Sequence, residues 1–381
     1  MQLPRIIRAE NDVLVAENGC RYIDLFSAHG TTWLGHSNRK ISDSITEQLR
    51  RIWVTGGLET AAGVEAKTRV DEWFPSSHQL AGLCSTGMEA AEFAMRIARV
   101  TTGKSGVVGF ENSMHGKSLA TAYLGWDNKD NVRLPAFDRL PFLQTASEQE
   151  ILERLAKALR QDAVSAVFIE PVQGCGGGFR ASGDFYRSVY RECRERDVLL
   201  VFDEILTGFY RTGTPFFFSE LGFTPDLVLI GKAMGNGFPV SGVVLDKKHA
   251  IRKEMLPGST YSGNPLASAA VAATLAQMES IDLAARVARI ERTVQTGLCG
   301  LKDLDIVLRG KGALWILELT TALSAENLAG EIYKAGVLVG YAGRHLRLLP
   351  AATIEPANLE KACAVISETV GRVYYEQGKN K

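Results

Sequence analysis

Short apolar runs and longer amphipathic stretches alternate through the middle of this chain. The runs "GLCSTG", "SGVVGF", "AVSAVFIEP", "VLLVFDE", "DLVLIGK" and "SGVVLD" each read as a buried strand, and the stretches between them carry the period of helices. This alternation predicts an α/β architecture, a mostly parallel sheet covered by helices on both faces. Each run ends in polar or glycine-rich residues, which is where ligands sit in such folds. Ahead of this block, "GCRYIDLF" reads as a strand and "ISDSITEQLRRIW" as a helix; behind it, "AARVARIERTVQTGLCGL" is helical and "ALWILELT", "GVLVGY" and "HLRLLP" are strands. The expected organisation is a large domain over residues 46–281 and a smaller α+β domain built from both chain ends, residues 1–45 and 282–381.

Composition narrows the classes of function. Hydrophobic residues make up 46% and charged residues 23% of 381, as in a globular protein. Lys plus Arg equals Asp plus Glu at 43 each, so no overall field draws the chain to nucleic acid or to an acidic membrane. No apolar run approaches the roughly 18 residues of a membrane span, and "MQLPRIIRAENDVLV" lacks the features of a secretion signal. A cytoplasmic enzyme acting on small molecules is the expectation. The six cysteines, Cys20, Cys84, Cys175, Cys193, Cys299 and Cys363, are scattered without zinc-site spacing. They are expected to be reduced and mostly buried, with no metal bound.

Three segments carry candidate chemistry. In "VLIGKAMGNGFP", Lys232 follows an apolar strand. A lysine buried there without a partner sheds its proton and becomes a nucleophile toward carbonyls; one reaching out to solvent does nothing of the kind. In "VLLVFDEILTGFYRTG", Asp203 and Glu204 end another strand, where a buried carboxylate needs a partner. A protonated pyridine nitrogen would serve Asp203, and caps for the next turn are the alternative for both acids. In "CSTGMEAAEFAMRIARVTTG", a strand turns into a helix with Phe93, Ile97 and Val100 on one face and Gly103 beyond its end. Free N–H groups at such a helix start favour a phosphate, although a Ser/Thr cap there is also common for structural reasons. A phosphate cradle, a pyridinium partner and an imine-forming lysine on one sheet together describe a pyridoxal phosphate site.

With those motifs in place, and with "GCRYIDLFSAHGTTWLGH", "FENSMHGKSLAT", "EPVQGCGGG", "STYSGNP" and "LRLLP" beside them, the sequence from about Gly19 to Ile366 resembles the class III (subgroup II) aminotransferases. These are fold-type I pyridoxal phosphate enzymes that act on ornithine, acetylornithine, 4-aminobutyrate or putrescine. The resemblance implies that Lys232 forms the imine and that Asp203 faces the pyridine nitrogen. It puts Thr86, Gly87 and Met88 at the phosphate, the last two through backbone N–H groups, and Thr260 at the phosphate of the neighbouring subunit, so a homodimer with shared sites is implied. Arg347 would grip the substrate's carboxylate. His36, Glu89, His115, Glu170 and Asn264 match family positions in supporting roles.

Departures from the family pattern bear on specificity. Met114 stands where an aromatic ring usually covers the cofactor, and Leu206 where many members have a glutamine touching its phenolic oxygen. Lys117 replaces an arginine that contributes to substrate recognition, as in putrescine-type members. Cys175 replaces a glutamate that pairs with the arginine equivalent to Arg347. His29 falls at a substrate-contacting position and would read an unusual donor, or turn inward as a satisfied core histidine. The expected reaction takes an amino group from a terminal primary amine, leaves it on the cofactor as pyridoxamine phosphate, and passes it to 2-oxoglutarate or pyruvate. An epimerase or aminomutase of the same fold is the nearest alternative, and a non-catalytic pyridoxal phosphate-binding regulator a remote one. A nucleotide-binding oxidoreductase is disfavoured because no G-x-G-x-x-G closes a first strand.

Overall fold

A computed structural model describes residues 4–126, 134–252, 256, 258–319 and 323–378. Its centre is a seven-stranded sheet: β4 (His78–Cys84), β5 (Gly106–Phe110), β6 (Phe137–Leu140), β7 (Val164–Ile169), β8 (Leu199–Asp203), β9 (Leu227–Gly231) and β10 (Ser241–Asp246), in the spatial order β4-β10-β9-β8-β7-β5-β6. Strands β9, β8, β7, β5 and β6 run parallel, and β10 is antiparallel to both of its neighbours. Strands β5, β7, β8 and β9 are buried at every position, which is why they read as continuous apolar runs. The six runs expected as strands are therefore strands, in a mostly parallel sheet.

Two four-stranded sheets hold the remaining strands. One contains β1 (Ile6–Glu10), β2 (Val13–Ala16), β3 (Arg21–Asp24) and β13 (Val337–Leu338), and the other β11 (Ile306–Lys311), β12 (Leu314–Leu319), β14 (Gly340–Ala342) and β15 (His345–Leu348). The two chain ends meet where β13 pairs in parallel with β3, Val337 beside Ile23. Further bonds fasten the N-terminal segment to the residues after β15: Leu349 N–H donates to Leu25 O at 2.6 Å and Ala352 N–H to Trp33 O at 2.8 Å.

Several local expectations need correction. "GVLVGY" is two strands in two sheets, because the chain crosses at Val339 to bring Gly340 under the Phe26 ring. The helix expected through Trp53 stops at Leu49, and Ile52 and Trp53 lie exposed beyond it. Val100 does not share the buried face of Phe93 and Ile97: it is 37% exposed, in the last turn of the helix Gly87–Thr102. Of the cysteines only Cys84, Cys193 and Cys363 are buried, while Cys20 and Cys299 are exposed.

Candidate active site

Five chain segments leave the carboxyl ends of parallel-running strands and converge there. Asp203 is the last residue of β8, 3% exposed, and Lys232 follows β9 directly. Because β8 and β9 are hydrogen-bonded neighbours with Asp203 opposite Leu229, the carboxylate and the amine leave adjacent strands at one edge. Lys232 is partly buried and takes a left-handed backbone, φ +40°. A non-glycine residue in that region stores strain of about 1–3 kcal/mol, and such strain gathers at functional sites. Burial pulls the ammonium below its ordinary pKa, with the Arg347 charge adding to this and Cys175, Asp203 and Glu170 opposing it.

Asp203 is held from behind. His115 Nδ1 lies 2.8 Å from its Oδ2, and the Ile205 N–H donates to Oδ1 at 3.1 Å. The His115 ring is buried, and among the described residues its Nε2 has no hydrogen-bond partner. Glu170, just past β7, accepts from the Met114 N–H at 3.0 Å and the Gly174 N–H at 2.9 Å. Burial and then the Asp203 charge push its carboxyl up. Glu170 thus ties the loop bearing Met114 and His115 to the turn bearing Gly174 and Cys175. Glu204, by contrast, faces away as the capping alternative requires: it accepts from the Thr207 hydroxyl and from the N–H groups of Phe217 and Phe218.

A helix start lies close to this pair. Thr86 caps the helix Gly87–Thr102 in a reciprocal box: its hydroxyl accepts from Glu89 N–H at 3.2 Å, while Glu89 Oε2 accepts from the Ser85 and Thr86 N–H groups at 2.7 and 3.0 Å. That pairing uses the N–H groups of residues 85, 86 and 89 and leaves those of Gly87 and Met88 free for an anion. A methyl on Gly87 would come within 2.8 Å of Ile205 Cδ1, and one on Gly116 within 2.9 Å of Met88 Cβ. The helix start therefore abuts both the Asp203 loop and the His115 loop. Ser241 at the start of β10 fixes it further, donating to Thr86 O at 2.6 Å.

The opposite wall comes from the chain ends. Arg347, on β15, is 3% exposed, and its Nε donates to Gly174 O at 3.0 Å. Among the described residues no carboxylate lies within ion-pair distance of its guanidinium, so both terminal nitrogens stay free for a ligand. Cys175 is partly buried beside it, and burial raises its thiol pKa. Leu206 packs against Gly174 on one side and Gly30 on the other, so the position holds an apolar side chain facing two backbones. His29 is exposed, its ring edge-on to Phe26 at 4.3 Å. Partial burial of the ring lowers its pKa, and the positive charges of Arg347, Lys232 and Lys117 add to this. Lys117 is exposed at the rim. Thr260 stands apart, exposed in the loop before the helix Pro265–Glu279, which Asn264 caps.

Two features escaped sequence reasoning. Ser27, Ala28, His29 and Gly30 all have positive φ, +47°, +48°, +62° and +82°, making one left-handed helical turn that contains a single glycine. Asp24 Oδ1 pins its start by accepting from the N–H groups of Phe26 and Ser27 at 2.8 and 2.9 Å, and Asp24 Oδ2 meets His36 Nε2 at 2.7 Å. At its end, Gly30 O accepts from Arg211 Nη2 at 2.9 Å. Arg211 is wholly buried, and among the described residues its hydrogen-bond partners are carbonyl oxygens.

Comparisons with known proteins match nearly the whole chain. The family model described as "Aminotransferase class-III" matches residues 2–370. A protein of Pyrobaculum aerophilum named as a [LysW]-aminoadipate semialdehyde/glutamate semialdehyde transaminase is 30% identical over 370 residues, spanning 96% of this chain and 95% of its own. Two solved variants of a thermostable omega transaminase, PjTA-R6, engineered for asymmetric synthesis of enantiopure bulky amines, superpose with TM-scores of 0.89 and 0.88 at 20% identity, covering 98% of this chain and 94% of theirs.

Proposed function

This chain belongs to the class III aminotransferases and is a pyridoxal phosphate-dependent transaminase, and we propose that it takes the amino group of a terminal primary amine and delivers it to 2-oxoglutarate or pyruvate. The carrying observation is Arg347, a buried guanidinium with no carboxylate partner among the described residues, hydrogen-bonded only to Gly174 O through Nε. A fork left open in this way suits the carboxylate of a 2-oxo acid. The relative's name supports the terminal-amine donor, since a semialdehyde carries the carbonyl to which a terminal amine corresponds.

The residues fit the cofactor. A partly buried amine, a buried carboxylate on the neighbouring strand and two free N–H groups at a helix start match its aldehyde, its ring nitrogen and its phosphate in turn. When bound, the cofactor supplies an aldehyde that receives the amino group and a pyridinium ring that draws electrons from the reacting carbon. Lys232 Nζ would hold the cofactor at its aldehyde and, once released, would take the proton from the donor's carbon as general base and deliver it to the former aldehyde carbon as general acid. Its lowered pKa keeps a neutral fraction for that task. Asp203 would keep the ring nitrogen protonated, and His115 aims the carboxylate. Gly87 and Met88 would donate to the phosphate, Met114 would cover a ring face, and Leu206 would offer the phenolic oxygen no hydrogen bond. His29 and Lys117 would face the donor.

The active form would be a homodimer. The Thr260 hydroxyl makes no hydrogen bond within the described chain, and Ile52, Trp53, Val54 and Leu58 present 44%, 59%, 43% and 75% of their surface to solvent. Large apolar side chains left to solvent this close together in the chain support a subunit contact. Among the described residues no helix is long and apolar enough to cross a membrane. Incubation with a panel of diamines, ω-amino acids and α-amino acids, following formation of glutamate or alanine, tests the reading. An isomerised donor with no amino-acid co-product would overturn it in favour of an epimerase or aminomutase.

A further inference from the structure

We infer that Arg211 is a positioning residue for donor recognition, holding the left-handed turn Ser27–Gly30, and with it the His29 ring, against the strand that carries Arg347. Its guanidinium is 0% exposed and meets three carbonyl oxygens from three segments: Gly30 O from Nη2 at 2.9 Å, and Pro350 O and Ala313 O from Nη1 at 2.8 and 3.3 Å. Each acceptor stands close to a wall of the site. Gly30 follows His29, Pro350 lies three residues beyond Arg347, and Ala313 precedes β12, whose Ile316 pairs with Arg347. The Trp33 ring lies against the guanidinium face at 3.9 Å, and Trp33 O in turn receives the Ala352 N–H. One planar fork thus fastens both chain ends to the segment that follows Asp203.

A core-filling role does not need a charge. Burying a cation among neutral groups is unfavourable, and a methionine would fill the same space. The turn does need a clamp. Ser27, Ala28 and His29 adopt a backbone that side chains disfavour, with Asp24 restraining the start and Arg211 the finish. Gly30 leaves no slack there, since a methyl on it would lie 3.0 Å from Leu206 Cδ1 and 3.4 Å from Arg211 Nη2. Without the clamp, relaxation toward right-handed backbone carries the imidazole away from its place against the Phe26 ring. Arg211 makes no hydrogen bond to Lys232, Asp203 or Gly87, so cofactor binding is spared.

This inference rests on His29 facing the donor, and a double-mutant cycle separates the two. In the donor half-reaction followed by cofactor absorbance, Arg211→Met raises the half-saturating donor concentration about tenfold, with the limiting rate held within about threefold and the spectrum unchanged. Added to His29→Ala, the same substitution changes nothing further. Ala28→Gly, which removes only an exposed methyl from a residue at φ +48°, restores donor binding in the Arg211→Met protein by relieving the strain. Effects that multiply in the cycle, or a defect that glycine leaves untouched, overturn the clamp. His29→Ala alone having no effect overturns the donor-facing role of His29 instead, and the inference falls with it. If Arg211→Met fails to fold, Arg211→Lys, which keeps the charge and loses the fork, carries the same cycle.

Discussion

Among the described residues neither Lys232 nor Arg347 makes an ion pair with a carboxylate, and each makes a prediction about a single side chain. Burial lowers the Lys232 pKa, so its amine becomes neutral at a lower pH than a free lysine. Uptake of pyridoxal phosphate by cofactor-free protein should therefore speed up as pH rises, with a midpoint below 10.5, and borohydride should fix the cofactor to the peptide containing Lys232. Labelling of a different lysine would refute the assignment. Arg347→Ala removes a charge-assisted contact worth about 1.5–3 kcal/mol, which is about ten- to hundredfold in acceptor kcat/KM. The donor half-reaction should change far less. Equal slowing of both halves would mean that the donor is itself an α-amino acid.

At the scale of elements, the start of the helix Gly87–Thr102 does two jobs: its capping box stabilises the helix and leaves two N–H groups aimed at an anion. Thr86→Ala should lower unfolding free energy by about 1 kcal/mol and weaken inorganic phosphate binding to cofactor-free protein. A phosphate affinity untouched by this change would locate the phosphate elsewhere. Elements of this kind were legible in the sequence because a buried strand announces its end by a change from apolar to polar residues, and Lys232, Asp203 and Thr86 all stand at such changes. The short peripheral strands were not. In β1 four of five residues are exposed, and β6 at the sheet edge is only four residues long with two adjacent charges, Asp138 and Arg139, at its centre. The roles of Arg347, Cys175 and Leu206 came only with the family resemblance, since nothing in local pattern brings "LRLLP" to "EPVQGCGGG". The left-handed turn was invisible because three of its four residues are ordinary L side chains, and Arg211 because its partners are backbone carbonyls, which no sequence motif marks.

For the molecule as a whole, Glu204 links stability to pH. Burial raises its carboxyl to about 7, against the hydrogen bonds from Thr207, Phe217 and Phe218. The native state then holds a proton that the unfolded chain releases near the ordinary pKa of about 4.3. The stabilisation is complete below that pH and is lost as pH rises toward about 7. Glu204→Gln keeps a neutral side chain there, so the wild-type urea midpoint should fall relative to this variant between about pH 5 and 8. A constant difference would show that Glu204 is ionised throughout. The pairing of β3 with β13 has a different kind of consequence, one of timing. As the chain leaves the ribosome, residue 23 must wait for residue 337, whereas all seven strands of the central sheet lie between residues 78 and 246. Closing so long a loop comes late. A nascent chain would therefore own Asp203, Lys232 and the helix start before Arg347 had emerged or the turn bearing His29 was seated, so the chemistry would be assembled ahead of the grip on a carboxylate.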